Sequence, residues 1–386
     1  MQGMLVNVPE EYRILKETTR KLVERELDPC WEEVEEKEAI PERLANKMKE
    51  LGYFGLTIPV EYGGSGLGTF PFCLVTEELA KTHKGFKLLV NTNNGIGSKG
   101  LVLAGTEEQK RKYLPPLARG EKIAAFALTE PEAGSDAANV QTSAVKDGDY
   151  YVLNGLKHFI THGPIADLYT VFAATDRKLK GQGGITAFVV EKGTPGLKMG
   201  RVQKTMGSNF PHQSEVIFED CRVPAANLLG KLGYGFEITA QTLQSGRLVM
   251  GATCVGTAEK LLQLCIDYSK QRVQFGRPIA ERQAIQFMLA DMGTEIYATK
   301  AMVYEAAQRK DQNMDVRRES SMIKLFGSEM VGRVADKAVQ IFGGMGYMRE
   351  LPIERFYREV RIYRIAEGTS EIQRWMIGRD LLKNGY

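Results

Sequence analysis

The chain has 386 residues, of which 43% are hydrophobic and 26% charged, and its formal net charge is +3. This usage is ordinary for globular proteins and excludes a disordered or fibrous chain, and the length predicts roughly two to three domains. The 51 basic and 48 acidic residues form no basic stripe. No apolar run approaches the ~20 residues of a spanning helix, so we expect neither nucleic-acid binding nor membrane insertion.

The cysteines and histidines give no sign of a disulfide framework or a metal site. Five cysteines and four histidines are scattered through the chain without close pairs or ligand spacing. The N-terminus lacks a basic flank followed by an apolar stretch, so no secretory signal is visible. We therefore expect a cytoplasmic protein of bacterial or archaeal source, or a mitochondrial matrix protein if a transit peptide has been removed.

The first 120 residues predict helices. Leu44 and Met48 recur at helical spacing between Pro41 and Gly52, which stand where a helix commonly begins and ends. A further helix is expected from Thr106, because the sequence Thr-Glu-Glu-Gln resembles an N-capping start. The N-terminal part of the chain is therefore predicted to be all-helical.

From about residue 122 the pattern changes to short runs of β-branched and aromatic residues separated by turn signals. The runs are 123–128, 150–153, 169–173, 185–190 and 215–218, and the turns are 147–148, 154–155, 183–184 and 195–196. They predict a small antiparallel β domain that ends near Pro224. After Gly235, apolar stripes such as Met288, Met292 and Ile296 predict long helices packed as a bundle.

Two polar segments suggest a phosphorylated ligand. The loop 129–136 follows a predicted strand and offers hydroxyls and backbone N–H groups at a tight turn, although a capped surface turn is the alternative. The segment 340–346 ends a helix with three glycines, where one glycine is the usual helix cap. Three glycines allow close approach to something flat or phosphorylated. No strand precedes them, so a Rossmann dinucleotide site fits poorly.

Two more segments suggest a pyrophosphate contact and a base. Residues 271–277 close a helix with two arginines around Phe275, a fork suited to pyrophosphate, although compensation of the helix dipole is the alternative. Glu367 follows the apolar stretch 362–366 and precedes Gly368. Apolar surroundings raise the pKa of a carboxylate and make it a usable base, although an ordinary acid at a helix N-terminus is the alternative. Together the four segments predict a large, planar, phosphorylated cofactor beside a buried carboxylate.

These motifs resemble those of the flavin-dependent acyl-CoA dehydrogenases along essentially the whole chain. The matching segments are 127–136, 159–161, 272–275, 340–346 and 364–374 (RIAEGTSEIQR). The resemblance implies an α+β fold with an N-terminal helical domain (1–121), a middle antiparallel β-barrel or sandwich domain (122–232) and a C-terminal four-helix bundle (233–386). It also implies FAD as the cofactor, an acyl-CoA substrate, electron-transfer flavoprotein as the electron acceptor, and a homotetramer built as a dimer of dimers.

The same resemblance implies a reaction and a base. Glu367 resembles the residue that removes the α-proton of the acyl thioester, while the β-hydrogen leaves as hydride to flavin N5 and the trans-2-enoyl-CoA forms. The thioester carbonyl would be polarised by the Glu367 backbone N–H and a flavin ribityl hydroxyl. Some relatives carry the glutamate at the position matched by Gly246, which cannot serve, so Glu367 is the only base that the pattern supports.

The family's binding residues are carried over position by position. The expected flavin contacts from the β domain are Phe126, Leu128, Thr129, Gly134, Ser135, Phe159, Ile160 and Thr161. The expected contacts to the FAD of the neighbouring subunit are Arg272, Gln274, Phe275, Gln340, Ile341, Gly343 and Gly344, with Gln283 as a further cofactor contact and Thr369 and Glu371 at the pyrophosphate. The expected acyl-CoA contacts are Ser135, Gln244, Arg247, Gly368 and Arg379.

Departures from the family pattern concern the substrate. Lys87 stands where glutaryl-CoA dehydrogenases carry an arginine, so it could pair with a dicarboxylic acyl group, although a solvated lysine is the favoured interpretation. The polar row 91–94 lies near the expected floor of the acyl pocket and hints at a tail other than a long plain alkyl chain. The loop 208–213 is expected to have its own shape. Gln244 replaces an Asp or Asn that contacts the pantetheine arm in relatives. Among the expected cofactor contacts, Phe159 replaces a Trp and Glu371 replaces a Gln that are usual in relatives.

Several functions remain open beside acyl-CoA dehydrogenation. The same fold could act on a cyclic or dicarboxylic acyl-CoA, or run the step backward as an enoyl-CoA reductase. From other classes, a flavin- and CoA-binding protein without turnover would be expected to lack the base, and a purely structural helical protein would bind no flavin. The acyl chain length, the physiological direction and the identity of the electron partner are not set by the sequence.

Overall fold

The computed structural model describes residues 8–385, and its N-terminal part is helical. Apolar residues at helical spacing, among them Leu22, Leu44 and Met48, are buried in one core cluster. The predicted capping start is confirmed, because Thr106 Oγ1 accepts from Gln109 N at 3.2 Å and Gln109 Oε1 accepts from Thr106 N at 3.0 Å. The helices are α1 (Glu10–Leu22), α2 (Trp31–Lys37), α3 (Glu42–Glu50), α4 (Thr69–Leu79), α5 (Lys84–Asn94), α6 (Lys99–Ala104) and α7 (Glu107–Ala118).

The middle region is a mainly antiparallel sheet. Its strands are β1 (Ala124–Ala127), β2 (Ser143–Asp147), β3 (Tyr150–Thr161), β4 (Leu168–Ala174), β5 (Ile185–Glu191), β6 (Leu197–Gln203), β7 (Gln213–Pro224) and β8 (Leu228–Leu229). They lie in the order β6-β7-β3-β2-β4-β5-β8, with β1 beside β4. The pairing of β1 with β4 is parallel, as is a single β2–β4 pair, so the sheet is less purely antiparallel than predicted.

One predicted turn is wrong. Asn154-Gly155 lies inside strand β3, where the register to β7 shifts between Leu153 and Gly155. Gly155 has a φ of 153°, and a Cβ there would lie 2.5 Å from Thr142 Oγ1. A glycine in a strand can mark a bulge as well as a turn, and here the close approach of the neighbouring strand requires it.

The C-terminal region is a bundle in which α8 (Gly235–Gln271), α9 (Gln283–Asp311), α10 (Arg317–Phe342) and α13 (Ser370–Asn384) are the long helices. The predicted stripes meet there, since Met292, Ile296, Met330 and Val334 belong to one buried cluster. The short elements are a hairpin of β9 (Val273–Gln274) and β10 (Arg277–Pro278), and the helices α11 (Gly344–Tyr347) and α12 (Ile353–Val360). Single turns of 3₁₀ or π helix lie at 23–30, 53–55, 60–62, 225–227, 279–281 and 361–364.

Helix α8 is the one element of residues 8–385 that is long and apolar enough to cross a membrane. Its most apolar 18-residue window has a mean hydropathy of 1.2, and 56% of that window is buried inside the protein. The core helix of a soluble protein passes the same test, and the buried side chains of α8 include Cys254, Val255, Ala258 and Leu261 of the bundle core.

Candidate active site

Glu367 lies in a tight turn between a 3₁₀ turn, Arg361–Arg364, and helix α13. Its backbone has a φ of 58°, in the left-handed region that side chains rarely adopt, and Gly368 follows with a φ of 95°. Such an outlier persists only where the surroundings fix it, and it commonly marks a functional site. The turn is therefore held by its neighbours rather than by its own conformational preference.

Three side chains from three helices hold the two carbonyl groups of this turn. Lys324 Nζ on α10 donates to Gly368 O at 2.6 Å, and the lysine side chain is fully buried. Gln373 Nε2 on α13 donates to Glu367 O at 3.2 Å and to Gly368 O at 3.1 Å. Arg247 Nε on α8 lies 3.5 Å from Glu367 O. The carbonyl groups are thereby fixed, while the Glu367 carboxylate takes no part in these bonds.

The Glu367 carboxylate is the unusual group of the site. Its Oε2 is shielded from solvent and has no hydrogen-bond partner among the described residues. Burial raises the pKa of Glu367 above its ordinary value of 4.5, and the positive charges of Arg247, Lys324 and Lys87 oppose part of that rise. An unpartnered carboxylate with a raised pKa is suited to accept a proton from a ligand.

Gly246 leaves the space that this carboxylate occupies. A Cβ at position 246 would lie 2.6 Å from Glu367 Oε2 and 3.2 Å from its Cδ. The absence of a side chain at Gly246 therefore makes room for the carboxylate of Glu367. Positions 246 and 367, the two at which the family pattern allows a base, lie next to each other.

The carboxylate faces a cavity of about 410 Å³, within the ~300–1,000 Å³ usual for small-molecule sites. Helices α4, α5 and α8 and the ends of α6 and α9 form its wall. Lining residues include Thr57, Phe72, Leu88, Thr92, Ile96, Ser245, Gly246, Val249, Met250 and Thr253. The wall is mixed, with apolar side chains interspersed with hydroxyls and amides, so it suits a ligand with an apolar part and a polar connection.

Lys87 is not solvated, so the favoured interpretation of this residue is wrong. Its side chain is 2% exposed and lines the same cavity as Glu367. Its Nζ donates to Tyr363 Oη at 3.3 Å and lies 4.9 Å from the centre of the tyrosine ring. Burial lowers the pKa of Lys87 to about 8. Lys87 lies on the face of helix α5 that is directed toward the bundle, and the sequence around a single lysine does not show which face that is.

The polar row 91–94 serves mainly to support the backbone. Asn93 Nδ2 donates to Leu117 O and Lys122 O, and Asn94 Nδ2 donates to Tyr53 O and Val90 O. Thr92 Oγ1 donates to Leu88 O within its own helix. Asn91, Thr92 and Asn94 do line the cavity, as expected from their place near its floor. Because their polar groups are engaged, they are weak evidence for a polar acyl group.

The predicted flavin segments of the β domain lie next to each other. His158 N donates to Thr129 O at 2.7 Å, which joins the loop after β1 to strand β3. Phe159 has a left-handed φ of 59°, and its ring is 55% exposed and stacks on His158 with centroids 3.9 Å apart. A large aromatic ring held open in this way is a ready surface for a second flat ring.

A buried ion pair that was not predicted from the sequence joins the loop after β1 to strand β3. Lys157 Nζ is fully buried and donates to Glu130 Oε1 at 2.6 Å and to Leu128 O at 3.1 Å. The Glu130 carboxylate also accepts from Gln141 N at 2.5 Å and Thr142 N at 2.9 Å. Glu130 thus joins residues 141 and 142, at the far end of the loop, to strand β3. The sequence signal for this contact was a lysine in a mostly apolar strand and a glutamate in the neighbouring loop.

Not every predicted β-domain contact presents its side chain. Ile160 is buried in the core of the β domain, so only its backbone can face a ligand. Phe126 packs on Phe172 with ring centroids 4.9 Å apart. By contrast, Gly134 and Ser135 are exposed at the loop tip.

A third group of predicted residues gathers at the other end of the bundle. Tyr268 at the end of α8 stacks on Phe342 at the end of α10, with centroids 4.1 Å apart. This contact brings the hairpin with Arg272, Gln274 and Phe275 close to the segment 340–344. Phe275 is 94% exposed, and the neighbouring residues 271–277 are all exposed. Lys324 and position 340 are sixteen residues apart on α10, which is about 24 Å, so this group is remote from Glu367.

The remaining predicted residues are placed individually. Thr369 caps α13 by accepting from Ile372 N, and Glu371 is exposed in the first turn of that helix. Gln244 is buried on α8 and accepts from Lys310 Nζ at 3.2 Å. Arg379 is exposed on α13, stacked on Trp375, and does not line the cavity. Gln283 is exposed at the start of α9.

The loop 208–213 connects all three regions. Phe210 is buried in the N-terminal core, and Ser208 Oγ donates to Glu359 Oε1 on α12 at 2.6 Å. Glu35, His83 and Glu359 lie close enough together to resemble a metal-ligand group. Their atoms are already engaged, since His83 Nε2 is 3.1 Å from Glu35 Oε2 and His83 Nδ1 accepts from Gly85 N.

Comparison with known proteins places this geometry in a family. Family models match the acyl-CoA dehydrogenase N-terminal domain over residues 9–121, the middle domain over 125–221 and the C-terminal domain over 233–382. The chain is 42% identical to the caffeyl-CoA reductase-Etf complex subunit CarC of Acetobacterium woodii, over 97% of this chain and 99% of the relative.

Solved structures agree with these matches. Butyryl-CoA dehydrogenase from Megasphaera elsdenii is 40% identical with a TM-score of 0.94, covering 98% of this chain and 100% of that one. An acyl-CoA dehydrogenase complexed with FAD from Bacillus anthracis is 37% identical with a TM-score of 0.91, covering 98% of this chain and 68% of that one. The predicted family, fold class and cofactor are confirmed. The chain belongs to the acyl-CoA dehydrogenase family and is an FAD-dependent oxidoreductase that acts on a CH–CH bond.

Proposed function

We propose that this enzyme removes the α-proton and the β-hydrogen of an acyl-CoA thioester to give the trans-2-enoyl-CoA, with Glu367 as the base. The observation that carries the proposal is the unpartnered Oε2 of Glu367 at the wall of the 410 Å³ cavity. A protein that only bound flavin and CoA would have no need of a shielded carboxylate oxygen kept free of hydrogen bonds.

The chain's own residues account for proton removal. Glu367 Oε2 has no competing donor among residues 8–385. The raised pKa of Glu367 brings it closer to the pKa of the weakly acidic α-carbon, which lowers the barrier to proton transfer. Lys324 and Gln373 hold the turn so that the carboxylate stays in place when a substrate enters. The Glu367 backbone N–H is the proposed donor to the thioester carbonyl.

FAD, when bound, supplies the acceptor for the β-hydrogen. The residues proposed to hold its ring are Leu128, Thr129, Phe159 and Thr161, and the open aromatic face of Phe159 fits a planar group. The Glu130–Lys157 pair keeps the two binding segments at a fixed separation. Electron-transfer flavoprotein is the proposed acceptor of the electrons.

We propose that the remote group around Phe275 binds the FAD of a neighbouring subunit in a homotetramer. A side chain that is 94% exposed on a two-stranded hairpin is a natural contact for another chain. About 24 Å along α10 separates position 340 of this group from Lys324, which contacts the turn of Glu367. The exposed Arg272 and Gln274 supply the polar contacts that a dinucleotide needs.

Replacement of Glu367 by glutamine tests the role of the base. The Glu367→Gln enzyme should stay yellow, because the flavin contacts are intact, but should lose about 10³-fold or more of the rate of anaerobic flavin bleaching by acyl-CoA. Glu350→Gln, which changes an exposed glutamate, is the matched control and should bleach like the wild type. Unchanged bleaching of Glu367→Gln would contradict the proposal.

The same groups serve the reverse reaction, enoyl-CoA reduction. A protonated Glu367 would return the α-proton, and a raised pKa favours that protonated state. CarC of Acetobacterium woodii, 42% identical, is named for a caffeyl-CoA reductase. Measuring the flavin midpoint potential with bound acyl-CoA and enoyl-CoA tests the direction: a flavin potential above that of the acyl-CoA/enoyl-CoA couple favours dehydrogenation, and one below it favours reduction.

Lys87 supports a second candidate, a substrate with a carboxylated acyl group. Within residues 8–385 the buried Lys87 ammonium has a phenol at 3.3 Å as its hydrogen-bond partner, so it gains from an anionic partner in the cavity. An anaerobic bleaching screen should compare straight, branched, cyclic and dicarboxylic acyl-CoA thioesters. A dicarboxylic preference that Lys87→Met abolishes supports this candidate, and one that Lys87→Met leaves intact rules it out. Because Lys87 loses its charge as pH rises through about 8, the preference should fade above that pH.

Two further expectations stay predictions. We propose the domain division 1–121, 122–232 and 233–386, which limited proteolysis can test. We also propose a cytoplasmic or mitochondrial matrix location.

A further inference from the structure

The cavity beside Glu367 has an inner and an outer end. At the inner end the lining residues Lys87, Thr92 and Thr253 are each 2% exposed. At the outer end Leu103 is 41% exposed, and Asn313 is also exposed. A ligand that reaches Glu367 therefore leaves its far end at the outer opening.

Two lysines from different helices line this outer end. Lys99 begins α6 and Lys310 lies in the last turn of α9, and both are partly buried. The Lys99 ammonium forms no hydrogen bond or ion pair within residues 8–385, and Lys310 Nζ has the uncharged Gln244 Oε1 as its partner, at 3.2 Å. Burial and, secondly, the charge of Lys310 lower the pKa of Lys99.

Asp311 is the carboxylate whose charge acts on Lys99, and its oxygens already accept two hydrogen bonds. Asp311 Oδ1 accepts from Thr69 N at 2.6 Å and its Oδ2 accepts from Phe70 N at 2.8 Å, so it caps helix α4. Two like charges that are partly removed from water repel each other, and the effect of Asp311 on the pKa of Lys99 is smaller than the opposite effect of Lys310, so an added anion would still be favourable. The outer end of the cavity is thus prepared for an anionic group.

We propose that Lys99 and Lys310 bind the phosphates of coenzyme A at the outer end of the cavity. The inference rests on the proposed function, because it takes the thioester to lie at Glu367 and the uncharged pantetheine arm to fill the passage outward. Lysine is a common phosphate ligand that acts as a point charge, so it needs no fixed angle to the phosphate. Gln244, held by Lys310, is placed to meet the amides of the arm.

Calorimetry on the FAD-loaded enzyme tests the proposal with two probes, free CoA and free pantetheine, which differ in their phosphates and nucleoside. The variants are Lys99→Met, Lys310→Met and the double replacement, with Lys146→Met, an exposed lysine on β2, as the matched control. The double variant should bind CoA about tenfold more weakly than the wild type and bind pantetheine equally well. Added salt should weaken CoA binding to the wild type more than to the double variant.

The proposal is overturned if the double variant binds CoA as tightly as the wild type, or if CoA and pantetheine weaken equally. Equal weakening would mean that Lys310 acts through Gln244 on the arm alone. Calorimetry with dephospho-CoA, which lacks the 3′-phosphate, identifies the phosphate. If the double replacement weakens dephospho-CoA binding as much as CoA binding, the lysines bind the diphosphate. If it leaves dephospho-CoA binding unchanged, they bind the 3′-phosphate. Failure of every acyl-CoA to bleach the flavin would contradict the proposed function instead, and the calorimetry would still decide on the lysines.

Discussion

Two glutamates with carboxylate oxygens shielded from solvent, Glu130 in the β domain and Glu367 in the helical bundle, have opposite surroundings. Glu130 accepts from a lysine ammonium and two backbone N–H groups, and its pKa is held below the ordinary value chiefly by Lys157 against the effect of burial. Glu367 Oε2 has no hydrogen-bond partner in the described part of the chain, and burial raises the pKa of Glu367. Burial alone therefore does not decide the role of a glutamate.

The difference lies in where the positive charges are directed. Lys157 donates to the carboxylate of Glu130 itself, whereas Lys324 donates to a backbone carbonyl one residue beyond Glu367. In the first case the ion pair stabilises a loop, and in the second the charge fixes the turn while the carboxylate stays reactive. The target of the neighbouring lysine thus distinguishes the structural carboxylate of Glu130 from the proposed catalytic carboxylate of Glu367.

The largest expected effect comes from breaking the structural pair. Lys157→Met leaves Glu130 buried without its cation and should lower the free energy of unfolding by about 3–5 kcal/mol. Urea denaturation of the purified enzyme measures this loss. The double replacement Lys157→Met with Glu130→Leu should regain part of it, and Glu367→Gln should cost less than about 1 kcal/mol. Equal losses for Lys157→Met and Glu367→Gln would show that the two glutamates do not differ as described.

A smaller effect is expected from Gly246→Ala. The added Cβ would lie 2.6 Å from Glu367 Oε2, and the flexible end of the glutamate can move aside at little cost in stability. The displaced base should lower the rate of flavin reduction about 10²-fold, because a shift of ~1 Å has effects of that size. Stopped-flow bleaching measures the rate, and thermal unfolding checks that stability is kept. A rate equal to that of the wild type would mean that the carboxylate reacts from another position.

The smallest effect is expected from Lys324→Met. Loss of the bond to Gly368 O should reduce kcat about tenfold with little change in KM, since the turn loses one of its tethers. Three cations, Arg247, Lys324 and Lys87, lower the pKa of Glu367 against the effect of burial. Because Lys324→Met removes one of them, the pKa of Glu367 should rise further.

The pH profile separates this positioning role from simple loss of stability. A base must be ionised to act, so activity falls as pH drops through the pKa of Glu367, and the acidic limb of kcat/KM should move to higher pH in Lys324→Met. Lys337→Met, on the same helix but paired with Asp291, should keep the limb unchanged. An unshifted limb in both variants would limit Lys324 to a structural role.

Much of the fold could be predicted because its signals are local. The capping sequence at Thr106 and the apolar stripes of α9 and α10 act over a few residues, and the helices begin and pack as expected. The turn predicted at Asn154-Gly155 was wrong because a glycine that permits a turn also permits a bulge, and only the neighbouring strand decides which of the two forms. The prediction that Lys87 is solvated was wrong because the burial of a lysine depends on which face of α5 packs on the bundle, whereas most charged residues are solvated.

The sequence by itself determined the order of helices and strands, the family and which residue is proposed as the base, since each depends on residues close together in the chain or on motifs in a fixed order. The tertiary structure decided the environment of that base. Gly246, Lys324 and Gln373 come from three helices to surround one turn, and Lys99 and Lys310 meet across more than two hundred residues of chain. Desolvation and charge act through space, so these effects exist only after the helices have packed.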